Sequence, residues 1–429
     1  MVETEGAFSN LAINDAIKGH PECSPAFVRD TVKGVLRRKM LLDFYIDKEA
    51  RKGLRGIKKK TLVLLRMGLF LLLRQGGMPD HAVVGETVEI AKRTARGSEG
   101  FVNAVLRNFI RDRKSGEIPA ENGEIPSKNL ELPAESDFKN RDEWLSVTRS
   151  FPLPLIKLLR SQYGDETERI LDGLNDIPEL TICANSLKIS RDDLLEELSV
   201  VGIKAERSEQ TERGIVIKSG GELLSGKLFR DGLFSVQSES SLLATEKLAP
   251  RPGDRVLDMC AAPGGKTFAM AEIMGDRGEI VSCDVFPHRL KLIEAGAKRL
   301  GISSVSVCEN DATVRNEAFD DSFDAVLADV PCSGLGVIAA KPELRYRVDP
   351  EDLEELREKQ LGILTNAFYA TKPGGKLMYS TCTINKNENE RITETFSERV
   401  HSVEVVETGT ILPYNKQVGF FYCIMHKNT

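Results

Sequence analysis

The sequence predicts a multidomain chain: an all-α domain at the N-terminus, a small α+β module, and a C-terminal α/β domain built on a doubly wound parallel sheet. Three observations carry this. The chain has 429 residues, too many for one core at roughly 100–200 residues per domain. Its apolar residues change period along the chain, from helical spacing to short strands that alternate with helices. Between these regimes residues 114–140, KSGEIPAENGEIPSKNLELPAESDFKN, have no apolar period and are rich in Glu, Pro, Ser and Asn. They read as a flexible acidic linker. The expected boundaries are 1–138 for the helical domain, with its linker from 114, then 139–235 and 236–429.

Within the helical domain Ser24-Pro25 reads as an N-cap followed by Pro at the first helical position. Val28, Val32 and Val35 follow at i, i+4 and i+7. Leu62, Leu65, Leu69 and Leu72 also follow helical spacing, as do Val84, Val88 and Ala91, then Phe101, Val105 and Phe109. In the middle module 180–184 and 214–218 read as strands and 192–200 as a helix. From Ser235 onward, strands are expected at 255–259, 279–284, 304–310, 324–330 and 376–381, and two more at 403–406 and 419–425. The helix at 287–300 places Leu290, Ile293, Ala297 and Leu300 on one face.

Composition is that of a globular chain, 41% hydrophobic and 29% charged. The longest apolar run, Thr61 to Leu73, carries Arg66 and is shorter than the roughly 18 residues a membrane span needs. The start, MVETEGAFSN, lacks the basic and apolar regions of a secretory signal, so a reducing, cytoplasmic setting and no membrane partner are expected. The eight Cys are at least 23 positions apart, and the five His make no metal-ligand pair, so no metal is expected. The net charge is -6, yet residues 33–74 hold thirteen Lys/Arg against three Asp/Glu. That pattern excludes a general polyanion binder and leaves room for one basic face. Arg37-Arg38-Lys39 and Lys58-Lys59-Lys60 are the candidate phosphate contacts.

A ligand site is expected where the strand 255–259 runs into Cys260-Ala261-Ala262-Pro263-Gly264-Gly265-Lys266-Thr267. Paired glycines between strand and helix let backbone approach a ligand at the helix N-terminus. The spacing matches neither G-x-x-x-x-G-K-[ST] nor G-x-G-x-x-G. Asp258 lies near the end of that strand. Asp284 ends the next, 20 positions after Gly264, a spacing that suits a carboxylate on ribose hydroxyls. Asp311 follows the third strand and Asp329 lies at the end of the fourth. Any one of them also suits a helix cap; the series in register points to a cofactor containing a nucleoside. Cys332 and Cys382 each follow a strand of the same sheet. A lone Cys there is commonly a small buried hydrophobe. Two of them beside a carboxylate and a nucleoside site suggest thiolate chemistry. The residues themselves do not say which thiol attacks.

AAPGGKT, DVPCSGLGV, KPGGKLMYSTCT and the trailing NENE resemble the Sun-family RNA cytosine-5 methyltransferases, in particular the bacterial RsmB-type enzymes of 16S ribosomal RNA. HAVVGETVEIAKR and EGFVNAVLRN resemble the NusB-type helical RNA-binding domain that such enzymes carry. The resemblance covers the chain and implies a Rossmann-like methyltransferase domain with S-adenosyl-L-methionine as cofactor. It assigns Cys260, Ala261, Ala262, Pro263, Gly264, Gly265, Lys266, Asp284, Asp311 and Asp329 to cofactor binding. It makes Cys382 the nucleophile and gives Cys332 a part in product release. The implied partner is RNA, 16S rRNA or its assembly intermediates, and a monomer is expected. Three positions depart from the family pattern: Cys183 stands where an Arg is usual, Ser238 where an Asp is usual, and Val418 where an Asp is usual. The missing Arg bears on RNA contacts by the middle module. A transfer-RNA methyltransferase of the same family is the nearer rival reading. A non-catalytic NusB-like RNA binder would show damage at Cys332, Cys382 or Asp284, and all three are intact.

Overall fold

A computed structural model describes residues 7–50, 53–74, 78–114, 132–219 and 223–429. They form two compact units, one within residues 1–175 together with Lys341–Arg347, the other of 176–340 with 348–429. No helix among the described residues is long and apolar enough to cross a membrane.

The first unit is all helix. Ser24 caps the helix Pro25–Arg37, its Oγ accepting from Phe27 N at 3.4 Å. Helices Lys59–Leu73, Asp80–Thr94 and Glu99–Lys114 close a core of Leu65, Leu69, Val84, Ala91, Val105 and Phe109. The expected Val28, Val32, Val35 stripe is only half-buried. The helix instead buries Thr31 and Gly34, because the Phe70 ring occupies the space where a Cβ on Gly34 would stand, 2.0 Å away. Helices Arg141–Thr148, Leu153–Tyr163 and Thr167–Gly173 also belong to this unit. Of the expected linker, 115–131 lie outside the described residues. The rest is anchored: Phe138 packs on Phe44 with ring centroids 5.7 Å apart, and Trp144 Nε1 donates to Pro133 O at 2.7 Å.

Residues 341–347 complete the first unit. Arg345 is fully buried. Its Nη1 donates to Arg37 O and Ser150 O, each at 3.2 Å, and to Asn175 Oδ1 at 2.9 Å. Its guanidinium lies over the Phe151 ring, 4.1 Å from the centroid. Glu343 accepts from Ser9 N and Oγ at 2.9 and 2.8 Å. Arg37 is thereby buried and Lys39 sits over the Tyr346 ring at 4.6 Å. Of the two basic clusters expected to meet phosphate, Lys58–Lys60 is exposed and Arg37–Lys39 is built into the unit.

The second unit holds two sheets. β1 (Leu180–Ala184), β2 (Lys204–Arg207), β3 (Gly214–Ser219) and β4 (Phe234–Val236) form an antiparallel sheet of order β2-β3-β1-β4. The expected strands at 180–184 and 214–218 are present; β2 carries Lys-Ala-Glu-Arg and is exposed, so no apolar pattern announces it. Cys183 is fully buried, with Sγ 3.6 Å from Glu272 Oε2. The same oxygen accepts from Arg213 Nη1 at 2.7 Å. The position where the family carries Arg thus faces the protein interior, not RNA, and Arg213 supplies a guanidinium to Glu272.

The larger sheet contains β5 (Arg255–Asp258), β6 (Glu279–Asp284), β7 (Val305–Glu309), β8 (Phe323–Asp329), β9 (Thr371–Thr381), β10 (Val403–Ile411) and β11 (Phe420–Lys427), in the order β10-β11-β9-β8-β5-β6-β7. The first five strands are parallel; β11 inserts antiparallel between β9 and β10. The sheet is therefore mixed, where a parallel one was expected. Helix Pro287–Leu300 buries Leu290, Ile293, Ala297 and Leu300, as its spacing predicts. Strand order reverses at β5, with β6 on one side and β8 on the other. Ligands of open α/β sheets bind at the carboxyl ends beside such a reversal.

Candidate active site

β5 is buried and ends on Asp258, 1% exposed. The chain then turns through Met259–Gly264 into the helix Gly265–Ile273. Met259 N donates to Leu327 O and Ala261 N to Cys283 O, so the turn is tied to β8 and β6. Gly264 has φ +107°, and a Cβ there would stand 2.5 Å from the Phe268 ring. Only Gly fits. The helix start exposes orphan N–H groups and a positive dipole end.

The four carboxylates occupy different surroundings. Asp258 Oδ2 accepts from Thr267 Oγ1 at 2.7 Å, and burial pushes this carboxyl up to about 7. Among the described residues its buried Oδ1 has no hydrogen-bond partner. Asp284, 4% exposed, accepts from Phe286 N at 3.0 Å and pairs with Arg289 at 2.9 Å. Arg289 also donates to Ala262 O at 2.8 Å, joining the end of β6 to the glycine turn. Asp311 is exposed and accepts from Thr313 N and Oγ1 at 2.9 and 2.7 Å, which hold its carboxyl below the usual range. Asp329 Oδ2 accepts from Lys266 Nζ at 2.7 Å and Oδ1 from Ser380 Oγ at 2.8 Å. Burial works to lower Lys266, but the Asp329 charge and hydrogen bond prevail and raise it. Burial, then the charges of Asp258, Asp329 and Asp284, push the Cys260 thiol well up. Cys260 is therefore a neutral thiol at the point where three carboxylates converge.

Cys332 and Cys382 come together. β8 and β9 are parallel neighbours with Asp329 opposite Ser380, so the residues that follow leave the same sheet edge side by side. The two Sγ atoms are 3.1 Å apart. The Cys382 contact first, then burial, push the Cys332 thiol well up. Behind them Gly336 N donates to Cys382 O at 3.0 Å and Gly419 N to Gly336 O at 2.8 Å. A Cβ on Gly336 would stand 2.1 Å from Gly419 O. Lys266, assigned to the cofactor by sequence, points its amine at Asp329 and the thiol side of the site. The sequence reading missed Arg289, Ser380 and Glu388. Arg289 falls one turn beyond Asp284; Glu388 lies in the NENE run, whose role no spacing reveals.

A seven-stranded sheet of this order, with a glycine turn and carboxylates at its reversal point, defines a Rossmann-like methyltransferase. Residues 245–426 match the family model of the 16S rRNA methyltransferase RsmB/F, 2–111 the NusB family, and 151–223 the RsmF/B-like ferredoxin-like domain. The chain is 33% identical to the probable ribosomal RNA small subunit methyltransferase B of Bacillus subtilis (strain 168) over 449 residues, 99% of this chain and 96% of that protein. It is 30% identical to the ribosomal RNA small subunit methyltransferase B of Shigella flexneri over 412 residues, 94% and 90% of the two chains. The crystal structure of PH0851 superposes with a TM-score of 0.80 at 26% identity, covering 96% of this chain and 93% of that one. That of a methyltransferase homolog protein from Pyrococcus horikoshii does so with a TM-score of 0.59 at 26% identity, covering 65% and 95%. The chain belongs to the RsmB family of ribosomal RNA small subunit methyltransferases.

S-adenosylmethionine is the cofactor of this family, and the site fits it. The buried Asp258 Oδ1 lacks a partner among the described residues, the glycine turn has no Cβ to bar close approach, and Val285 and Phe286 beside Asp284 are 46% and 51% exposed. A partly apolar wall next to a buried carboxylate suits a nucleoside.

Proposed function

We propose that this protein methylates C5 of a specific cytosine in 16S rRNA through a covalent bond between Cys382 and C6. The observation that supports it most is the pair of thiols 3.1 Å apart at the strand ends beside Asp329 and Lys266. Cytosine C5 is a poor nucleophile within its aromatic ring. When the Cys382 thiolate adds to C6, the C5=C6 π electrons shift to C5, which becomes an enamine carbon. Bound S-adenosylmethionine supplies the electrophilic methyl group. The Asp329 carboxylate, fixed by Lys266 and Ser380, has lone pairs left to accept from the cytosine N4 amino group. The Lys266 cation offsets the negative charge that develops on the ring. Release then removes the C5 proton, re-forms C5=C6 and expels Cys382 as thiolate. Once Cys382 is bonded to carbon, Cys332 loses its proton to solvent; its thiolate then takes the C5 proton and returns to the neutral thiol of the resting site.

In this reading Cys260–Lys266, Asp284 and Asp311 bind the cofactor, with Asp329 at the boundary to the base. The target cytosine reaches a thiol at a sheet edge, so it must be unpaired or flipped. Residues 1–138 supply RNA affinity and 236–429 perform the chemistry; of the segment 139–235 between them, 139–175 pack within the first unit and 176–235 within the second; the enzyme works as a cytoplasmic monomer.

Variants of the two thiols test the mechanism. With 16S rRNA and cofactor, Cys332→Ala is expected to leave a slow-migrating protein–RNA band on a denaturing gel. Cys382→Ala and the double variant give none, and no product. The opposite pattern exchanges the two roles. Activity retained in every variant, with no band, rejects covalent catalysis.

A further inference from the structure

Glu388 is fully buried, and among the described residues its carboxylate is held by neutral donors alone. Its Oε2 accepts from Ser333 N at 2.8 Å and Gln360 Nε2 at 3.0 Å. Its Oε1 accepts from Ser333 Oγ at 2.5 Å and Asn385 Nδ2 at 2.9 Å, with Thr383 Oγ1 at 3.5 Å. Gln360 Nε2 also donates to Pro331 O at 3.0 Å, and Ser333 Oγ lies 2.9 Å from Thr383 Oγ1. The backbone carbonyl of Glu388 accepts from Tyr379 OH at 2.6 Å.

Pro331 and Ser333 flank one thiol, and Thr383 follows the other. The two segments lie 50 residues apart in sequence, and strand pairing between them ends at Asp329 and Ser380. Beyond that point the Glu388 carboxylate joins them. Burying a carboxylate without a cation is costly. An acceptor with two oxygens is what this junction requires. A Gln at 388 could keep its oxygen on Ser333 N and Gln360, but its NH₂ would then face the Asn385 NH₂, whose amide is held by Asn387 N donating to Oδ1 at 3.2 Å.

We propose that Glu388 is a positioning residue for product release: it clamps the loop of Cys332 to the segment of Cys382, so that the Cys332 thiol stays beside the sulfur that carries the adduct. The Cys382 contact first, then burial, and behind them the Glu388 charge disfavour a thiolate at Cys332 in the resting site. The proposal rests on the cysteine roles given above.

The test compares Glu388→Gln, Ser333→Ala, Cys332→Ala and the unaltered enzyme, each with 16S rRNA and S-adenosylmethionine. Denaturing gels read the adduct, and rapid quench separates first-turnover methylation from steady-state turnover. Glu388→Gln is expected to keep first-turnover methylation and cofactor affinity, while steady-state turnover falls about tenfold or more, the scale set by misplacing a catalytic group. Adduct accumulates as it does for Cys332→Ala. A merely structural role would lower first and later turnovers together and leave no band. Should Glu388→Gln fail to fold, Ser333→Ala decides, because it removes only the hydroxyl. Its adduct should be weaker than that of Cys332→Ala but present. If Cys332→Ala accumulates adduct while a folded Glu388→Gln, or Ser333→Ala in its place, releases RNA at the normal rate, the clamp is overturned alone. If Cys332→Ala itself leaves no adduct, the cysteine roles fail and the proposal with them.

Discussion

Asp284 ends a buried strand with its carboxylate set by Phe286 N and Arg289. In the reading above, it also accepts from ribose hydroxyls. Asp284→Ala removes charge-assisted hydrogen bonds worth roughly 1.5–3 kcal/mol each, so S-adenosylmethionine should bind about tenfold to a hundredfold more weakly. Calorimetry on the folded variant measures this, and unchanged affinity removes Asp284 from the site. Residues of this kind could be found from sequence because each stands at the end of an apolar run, where β-sheet geometry puts it at the ligand edge. Glu388 and Arg289 could not. Their partners are a loop 55 residues earlier and a carbonyl 27 residues earlier, and only the folded chain brings such groups within 3 Å.

The helix Gly265–Ile273 carries the cofactor turn at one end and Glu272 near the other. Burial pushes the Glu272 carboxyl up to about 7 from its ordinary 4.5, even with Arg213 at 2.7 Å. The folded chain thus holds a proton that the unfolded chain loses above about 4.5. Stability falls as pH rises from that value to about 7 and levels off beyond. Glu272→Gln stays neutral throughout, so its melting temperature should decline less over this window. Parallel profiles from pH 5 to 8 would show that Glu272 does not titrate there. Among elements, helix Pro287–Leu300 follows from its apolar period because it buries one face, and β5, β6 and β8 follow from short apolar runs because they are buried on both. β2 and most of β10 are exposed edge strands. Backbone pairing forms them with no burial pattern to betray it, and β10 runs five residues beyond its expected end.

The whole molecule divides its charge unevenly. Within the basic stretch Arg66 is bonded to Asp43 at 2.6 Å, Arg74 to Asp30 at 2.9 Å, and Arg37 is buried. Lys58–Lys60 remain exposed and line a groove of about 1010 Å³ with Arg96, Phe101 and Asn108. Neutralising the three lysines together should lower RNA affinity and flatten its salt dependence by roughly 0.7–0.9 in log–log slope per phosphate lost. An unchanged slope from filter binding would make them a solvated face. Counting charges along the chain located the basic region; which cations it spends internally depends on the fold. Residues 341–347 carry a different consequence, one of biosynthesis. The carbonyls of Arg37 and Ser150 receive Arg345 as their donor, yet Arg345 is made about 170 residues after Asn175. At roughly 5–20 residues per second, the helical unit emerges and waits on the order of ten seconds with that polar pocket unfilled. Its folding during synthesis is therefore not strictly N-terminus first: the earliest part of the chain reaches its final state only when translation is four-fifths done.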